Sequence, residues 1–242
     1  MEVIMYDEFD EKTVDEERCE TERAKKKRRK NIGFIIGIIG AVLIVAAAVL
    51  FAFYAIRQRE RIMVRKPVIY LYPSEVTKVS VELDFEGLTV TYPEYNGGWS
   101  VTAYPDGTLI DESGAEYSYL FWEADSQTEF DFSAGFCVKG SDTAEFLCWA
   151  LSEQGLTPRE YNEFIVYWLP LMQDNDYNVI SFQGECYEES APLNISPAPN
   201  NIKRVFMAYY PSKKEVEIPE QTLCGFERGG FTVVEWGGTC VE

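Results

Sequence analysis

Between Ile32 and Ile56 the chain runs 25 residues without a charged side chain, and Lys/Arg-rich sequence lies on both sides. At about 1.5 Å rise per residue, a helix of that length exceeds the ~30 Å hydrocarbon thickness of a bilayer. The run is therefore expected to cross a membrane once, which removes it from any water-soluble core. What remains is a tail over 1–31, the span over 32–56, a basic juxtamembrane linker over 57–66 and one domain over 67–242. A secretory signal peptide is the rival reading, because Ala46, Ala47 and Ala48 loosely match a cleavage site. A signal h-region normally runs about 7–15 residues, and here apolar sequence continues past the alanines after a long mixed-charge leader. A retained anchor is favoured.

Lysine and arginine resist translocation, so their balance across the span sets its orientation. Arg23, Lys25, Lys26, Lys27, Arg28, Arg29 and Lys30 precede it, against Arg57, Arg59, Arg61, Arg65 and Lys66 after it. The excess places the N-terminus in the cytoplasm and the C-terminal domain outside the cell membrane. The run from Lys25 to Lys30 would also attract anionic lipid headgroups. Gly33, Gly37 and Gly40 share one helix face and include a G-x-x-x-G, a spacing through which two copies could pair as a homodimer; glycine is also common in membrane helices for other reasons. The tail is acidic, then basic, with few apolar residues to offset ordering entropy, and is expected to be disordered.

Charge divides as unevenly as length. Residues 1–66 hold 14 Lys/Arg against 11 Asp/Glu, and residues 67–242 hold 8 against 29, giving plus 3 and minus 21. A domain at minus 21 repels phosphate backbones, so nucleic acid is excluded as a partner, and acidic sugars and anionic lipids are disfavoured as ligands of the domain. Cations, basic proteins and neutral glycans stay open. The chain contains no histidine. Ser-His-Asp and Cys-His catalysis and imidazole-ligated zinc are thereby removed, leaving carboxylates, Tyr, Lys and Cys for acid-base work. No cofactor is implied.

From Val68 onward the sequence is β-like: runs at 68–72, 79–85, 88–92, 99–104, 117–123 and 130–138. Val79, Val81, Leu83 and Phe85 alternate with Ser80, Glu82 and Asp84, the pattern of a strand with one buried face. Asn96-Gly97-Gly98 and Pro105-Asp106-Gly107 supply turns. A helix is expected over 141–154, closed by Gly155, with Ala144, Leu147, Cys148 and Leu151 on its apolar stripe. A second opens with the capping box Thr157-Pro158-Arg159-Glu160, buries Tyr161, Phe164, Ile165, Trp168 and Leu169, and is ended or kinked by Pro170. Strands resume at 178–183, 204–210 and 231–236, with Arg228-Gly229-Gly230 as a hairpin turn and 191–201 as a surface loop. Strands on both sides of a helix pair imply an α+β domain, β-rich and mostly antiparallel, with two helices packed on the sheet.

Five strings, Lys66-Pro-Val-Ile-Tyr-Leu-Tyr-Pro73, Tyr119-Leu-Phe-Trp-Glu123, Glu163-Phe-Ile-Val-Tyr-Trp-Leu-Pro170, Arg204-Val-Phe-Met207 and Val234-Glu-Trp-Gly-Gly238, resemble those of an uncharacterised family of bacterial, mostly clostridial, membrane-anchored proteins. The resemblance covers essentially all of 66–242. It implies a cell-envelope setting and brings no activity, ligand or catalytic residue.

Two carboxylates stand beside tryptophans in expected strands: Glu123 after Phe121-Trp122, and Glu235 between Val234 and Trp236. Neighbouring strands could join them as a glycosidase-type acid and base. Alternation argues otherwise, since each Glu should point to solvent while its Trp packs. Asp174, Asp176, Asn178 and Glu185 occupy positions 1, 3, 5 and 12 of an EF-hand-like calcium loop, but position 6 is Val179 where glycine is needed, and a loop cap leading into a strand fits better. Cys137, Cys148, Cys186, Cys224 and Cys240 allow up to two disulfides, with buried structural thiols as the default. The expected function is a non-catalytic ligand- or partner-binding domain on a single-pass anchor. A carboxylate-dependent extracytoplasmic hydrolase and a transmembrane signalling or scaffold subunit are the alternatives.

Overall fold

Alternation in the β-like runs resolves into two sheets. In the computed structural model the described residues are Lys25, Gly40, Ala41, 43–51, 62–85, 87–126 and 129–241. The strands are β1 (Ile62–Tyr72), β2 (Thr77–Leu83), β3 (Leu88–Tyr92), β4 (Trp99–Ala103), β5 (Leu109–Asp111), β6 (Glu116–Tyr117), β7 (Leu120–Ser126), β8 (Phe136–Lys139), β9 (Tyr177–Gln183), β10 (Leu193–Ser196), β11 (Asn201–Ser212) and β12 (Thr232–Cys240). The helices are α1 (Thr143–Glu153), α2 (Pro158–Met172) and the short α3 (Glu185–Ser190). One sheet has seven strands in the order β3-β7-β1-β12-β11-β9-β8, and the other five in the order β10-β2-β4-β5-β6. Every pairing of these strands is antiparallel except β11 with β12.

The membrane span expected at 32–56 falls largely outside the described residues, as do Gly33, Gly37 and most of the basic run. Gly40, Ala41 and 43–51 are helical, with Leu43, Ile44, Leu50 and Phe51 exposed. Among the described residues, no helix is long and apolar enough to cross a membrane. The chain separates into units 1–59 and 60–242, and the architecture below is that of the second.

That unit is layered: the five-stranded sheet, the seven-stranded sheet, then α1 and α2. Ile69, Leu71, Trp122, Phe206 and Val233 meet Val79, Val81, Trp99 and Val101 of the smaller sheet in one core. Val68, Tyr70, Met207, Val234 and Trp236 meet Leu147, Leu151, Phe164 and Trp168 of the helices in the other. Covering the large sheet on both faces explains β12, which is buried from Thr232 to Thr239 without alternation, whereas β2 alternates because only one of its faces is covered. Trp168 and Pro67 press on β12 where side chains are missing. A Cβ on Gly238 would lie 2.6 Å from the Met207 carbonyl oxygen and 2.8 Å from the Trp168 ring, and one on Gly237 would lie 3.0 Å from Pro67.

β1 carries a bulge. Val64 and Ile69 face the same core although five residues apart, and the pairing of β1 with both neighbours shifts between Val64 and Val68. Lys66 absorbs the odd residue with φ of 58°, the left-handed region that non-glycine residues rarely occupy.

Several expectations need correction. The run at 117–123 is two strands: β6 ends in the small sheet and β7 begins in the large one, so the chain changes sheets at Ser118-Tyr119. Only Phe136–Lys139 of the run at 130–138 is strand, because the Asp131 carboxylate takes the N–H and hydroxyl of Ser133 (2.8 and 2.9 Å), and Gln183 clasps both the N–H and the carbonyl of Asp131. The loop at 191–201 contains β10, paired with β2. Arg228-Gly229-Gly230 makes no hairpin, since β12 lies between antiparallel β1 and parallel β11, and 213–231 is the crossover that parallel pairing demands. Pro170 sits inside α2, which runs on to Met172. The i−4 carbonyl that lacks its donor belongs to Val166, 76% exposed and open to water. The buried residues of α1 are Thr143, Leu147, Ala150 and Leu151, with Ala144 exposed and Cys148 half-buried.

Other local signals hold. Gly155 (φ 84°) closes α1, with its N–H on Ser152 and that of Leu156 on Leu151. The Glu160 carboxylate accepts the Thr157 N–H at 2.7 Å, as a capping box requires. In the turn after β5, Asp111 accepts from the Ser113 N–H and hydroxyl, the Ala115 N–H and the Tyr117 hydroxyl. The hydrogen bonds from Ser113 and then Tyr117 lower its pKa to about 2. A depressed folded pKa adds stability above the ordinary aspartate value of about 3.9 and loses it as pH falls toward 2. Thermal denaturation followed between about pH 5 and 2 should therefore show a shallower acid-side loss in Asp111→Asn than in the unmodified chain, and parallel curves would exclude this contribution.

Candidate functional site

The two tryptophan-flanked carboxylates lie on opposite faces of the large sheet. Glu235 faces the smaller sheet and is fully buried, not solvent-facing as alternation alone predicts, because both faces of β12 are covered. Its Oε2 takes the Arg204 Nε at 2.5 Å and its Oε1 the Trp122 indole N–H at 3.1 Å. Arg204 also donates from Nη1 to the Ala191 carbonyl at 2.7 Å and lies over the Tyr187 ring, 4.7 Å from its centroid. Burial disfavours the charge on Arg204, but the adjoining Glu235 carboxylate and Tyr187 hydroxyl together outweigh it and hold the guanidinium above its ordinary pKa. Burial, with Glu235 adding to it, pushes the Tyr187 hydroxyl well up. Glu123 is half-buried on the helix face, where its Oε1 accepts the Lys66 N–H at 3.2 Å. With a sheet between them, the two carboxylates share no cleft, and the acid-base pair is not formed.

The EF-hand-like set is also dispersed. Asn178 is a buried β9 residue whose amide donates to Thr143 and to the Met172 carbonyl, at 3.0 Å each, and accepts from Asn175 at 2.7 Å. It ties α1, α2 and β9 together from a buried position, whereas Asp174 and Asp176 are exposed. Asp176 pairs with Lys213 at 3.3 Å, Asp174 is exposed, and the Glu185 side chain is outside the described atoms. Among the described residues no group of three or more Cys, Asp or Glu is placed to hold a metal. The cysteines are less buried than expected: Cys137 and Cys148 are half-buried free thiols, Cys224 an exposed one, and Cys240 is half-buried.

Sequence reasoning missed the cleft beside Lys66. Its volume is about 470 Å³, and Lys66, Tyr119, Asn162, Glu163, Val166 and Tyr167 line it. The bulge in β1 turns Lys66 out of the strand pattern. The Lys66 ammonium then lies 5.1 and 5.2 Å from the ring centroids of Tyr119 and Phe121, with the Tyr119 hydroxyl at 3.4 Å. Asn162, Glu163, Val166 and Tyr167 share one side of α2 by their i, i+4 spacing. Glu163 is anchored from below by the Tyr70 hydroxyl at 3.1 Å, and Tyr70 packs edge-on against Tyr119, centroids 5.4 Å apart. Burial, then the charge of Glu163, pushes the Tyr70 hydroxyl far above its ordinary range, so it stays protonated and donates. Burial and the neighbouring Glu123 raise the Tyr167 hydroxyl as well. The cleft thus combines one cation, one carboxylate, an amide, phenol hydroxyls and aromatic walls. The signals lay in the strings at 66–73, 119–123 and 163–170, but no local pattern announces a left-handed lysine.

Comparisons with family models, with curated proteins and with solved structures find no match to this chain.

Removing one partner of a buried ion pair leaves the other charged and unpaired, at a cost of about 3–5 kcal/mol. Glu235→Gln and Arg204→Met should each lower folding stability by about that amount in urea titrations. The double replacement Arg204→Met/Glu235→Leu should recover most of the loss. Single variants within about 1 kcal/mol of the parent would show that the pair behaves like an exposed one.

Proposed function

We propose that the chain is a single-pass, membrane-anchored cell-envelope protein of the clostridial type its strings resemble, and that its acidic domain binds a neutral glycan, without catalysis, in the cleft beside Lys66. The observation that carries this reading is the cleft's charge balance. Beside a domain at minus 21, Lys66 and Glu163 face the same space as one positive and one negative group, and the remaining walls are the Asn162 amide, two tyrosines and Val166. Such a lining suits a ligand with uncharged hydroxyl and amide groups on an apolar frame. Tyr119 and Tyr167 would cover the sugar's C–H face, while the Lys66 ammonium, the Asn162 amide and the Glu163 carboxylate meet its hydroxyls.

The separation of Glu123 from Glu235 weighs against the carboxylate hydrolase, which needs both groups about 5–9.5 Å apart around one bond. The anchor itself rests on the uncharged run between Ile32 and Ile56 and its basic flanks.

Titration with neutral oligosaccharides of N-acetylated and plain hexoses, followed by calorimetry, should give saturable binding. Tyr119→Ala and Tyr167→Ala should each weaken it by about tenfold, equivalent to about 1.4 kcal/mol. Absence of binding across the series, or unchanged affinity in both variants, would overturn the glycan reading. Protease added to intact cells should digest residues 67–242, and full protection would overturn the orientation.

A further inference from the structure

A second cleft, of about 480 Å³, opens where α1, the edge strand β8 and the crossover after β11 meet, and its character is opposite to that of the first. Its floor is a cluster of three rings. Phe136 and Phe146 lie 5.0 Å apart between centroids, and Trp149 is 5.8 Å from each, edge-on to Phe136 at 86°. Its rim is Glu215, Glu217 and Glu220, all exposed. The crossover is held against β8 and the residue before it by one main-chain and one side-chain contact: the Gly135 N–H donates to the Pro219 carbonyl at 2.8 Å, and the Val216 N–H to the Cys137 sulfur at 3.2 Å. The backbone that carries the rim therefore has a fixed place beside β8.

Two features of this cleft have no structural account. Trp149 is 44% exposed, whereas Trp99, Trp122, Trp168 and Trp236 are all buried. A tryptophan serving only to pack α1 onto β8 would be covered by its neighbours. The three glutamates, moreover, have no ion-pair partner among the described residues. Lys213 is engaged by Asp176 at 3.3 Å, and neither Lys139 nor Lys214 lines the cleft. Three like charges within six residues, lining one cleft with aromatic rings whose faces are themselves negative, repel one another and attract a cation. The net charge of the domain adds long-range steering of the same sign.

We propose that this cleft binds a basic peptide segment, taking a lysine or arginine side chain over Trp149 with its charge between Glu215, Glu217 and Glu220. The aromatic floor covers the aliphatic stem while the glutamates neutralise the head, which a shallow acidic patch without the rings could not do. This binding is independent of the Lys66 cleft.

The test uses a fluorescein-labelled heptapeptide of alternating alanine and lysine, its fully acetylated counterpart, and tetramethylammonium. Fluorescence anisotropy should show binding of the lysine peptide that weakens as salt rises from about 20 to 200 mM, as screening requires, and the Trp149 indole N–H resonance should shift on titration. Trp149→Ala and the triple variant Glu215→Gln/Glu217→Gln/Glu220→Gln, all at exposed positions, should each lose about tenfold or more in affinity, while Tyr167→Ala should bind the peptide as the parent does. Equal binding of the acetylated peptide, full affinity in Trp149→Ala, or absence of binding by the lysine peptide would overturn the proposal. Tetramethylammonium binding as tightly as the peptide would overturn the peptide as occupant.

Discussion

The Arg204–Glu235 pair is the constraint around which the domain is arranged. The two residues are direct partners across the only parallel strand pairing among the described residues, and both are enclosed between the sheets. A buried ion pair is a weak source of net stability but a strong specifier of register, because a slip of one residue sends one of the charges to the opposite face. There the guanidinium or carboxylate would meet Trp168 and Phe164 with nothing to neutralise it. The third group on Glu235, the Trp122 indole, extends the same lock across β1 to β7, so four adjacent strands are aligned by one carboxylate.

Parallel pairing of β11 with β12 has its own consequence. The chain must return from one end of the sheet to the other, and the crossover that does so carries little regular structure of its own. It is fastened by side chains instead. Gln221 bonds both the N–H and the carbonyl of Phe182, where β9 has run past β8, and Arg228 grips the buried Glu160 carboxylate with two nitrogens. That path puts three glutamates in one cleft with the aromatic cluster of α1 and β8. The bulge in β1 likewise brings Lys66 to α2. Both clefts arise where the backbone departs from regular pairing, which is where side chains escape the alternation that would otherwise bury or solvate them.

Much of the domain is legible residue by residue. The alternation in β2, the capping box at Thr157 to Glu160 and the glycine closing α1 are local, and each depends on contacts within a few residues. What is not legible depends on partners far along the chain. Glu235 reads as a solvent-facing residue by alternation, since nothing nearby reveals that β12 is covered on both faces. The single run at 117–123 gives no sign that its halves belong to different sheets, and Leu193–Ser196 is strand only because the edge of β2 is there to receive it. Gly237 and Gly238 are the places where Pro67 and Trp168 approach the strand, an approach no neighbouring residue announces.

By itself the sequence determines the division of the chain and its charge: an uncharged run of bilayer length, basic flanks, and a histidine-free domain at minus 21 whose elements follow from periodicity and caps. These are sums and spacings, and they need no knowledge of neighbours. The tertiary structure alone decides that two similar glutamates have unrelated roles, one locked inside by arginine and tryptophan and one holding a lysine bulge. It also decides which aromatics remain open beside which charges. Burial, pairing and cleft chemistry are properties of residues brought together over 50 or more positions, as Lys66 and Glu123 are, and only the packed layers set those distances.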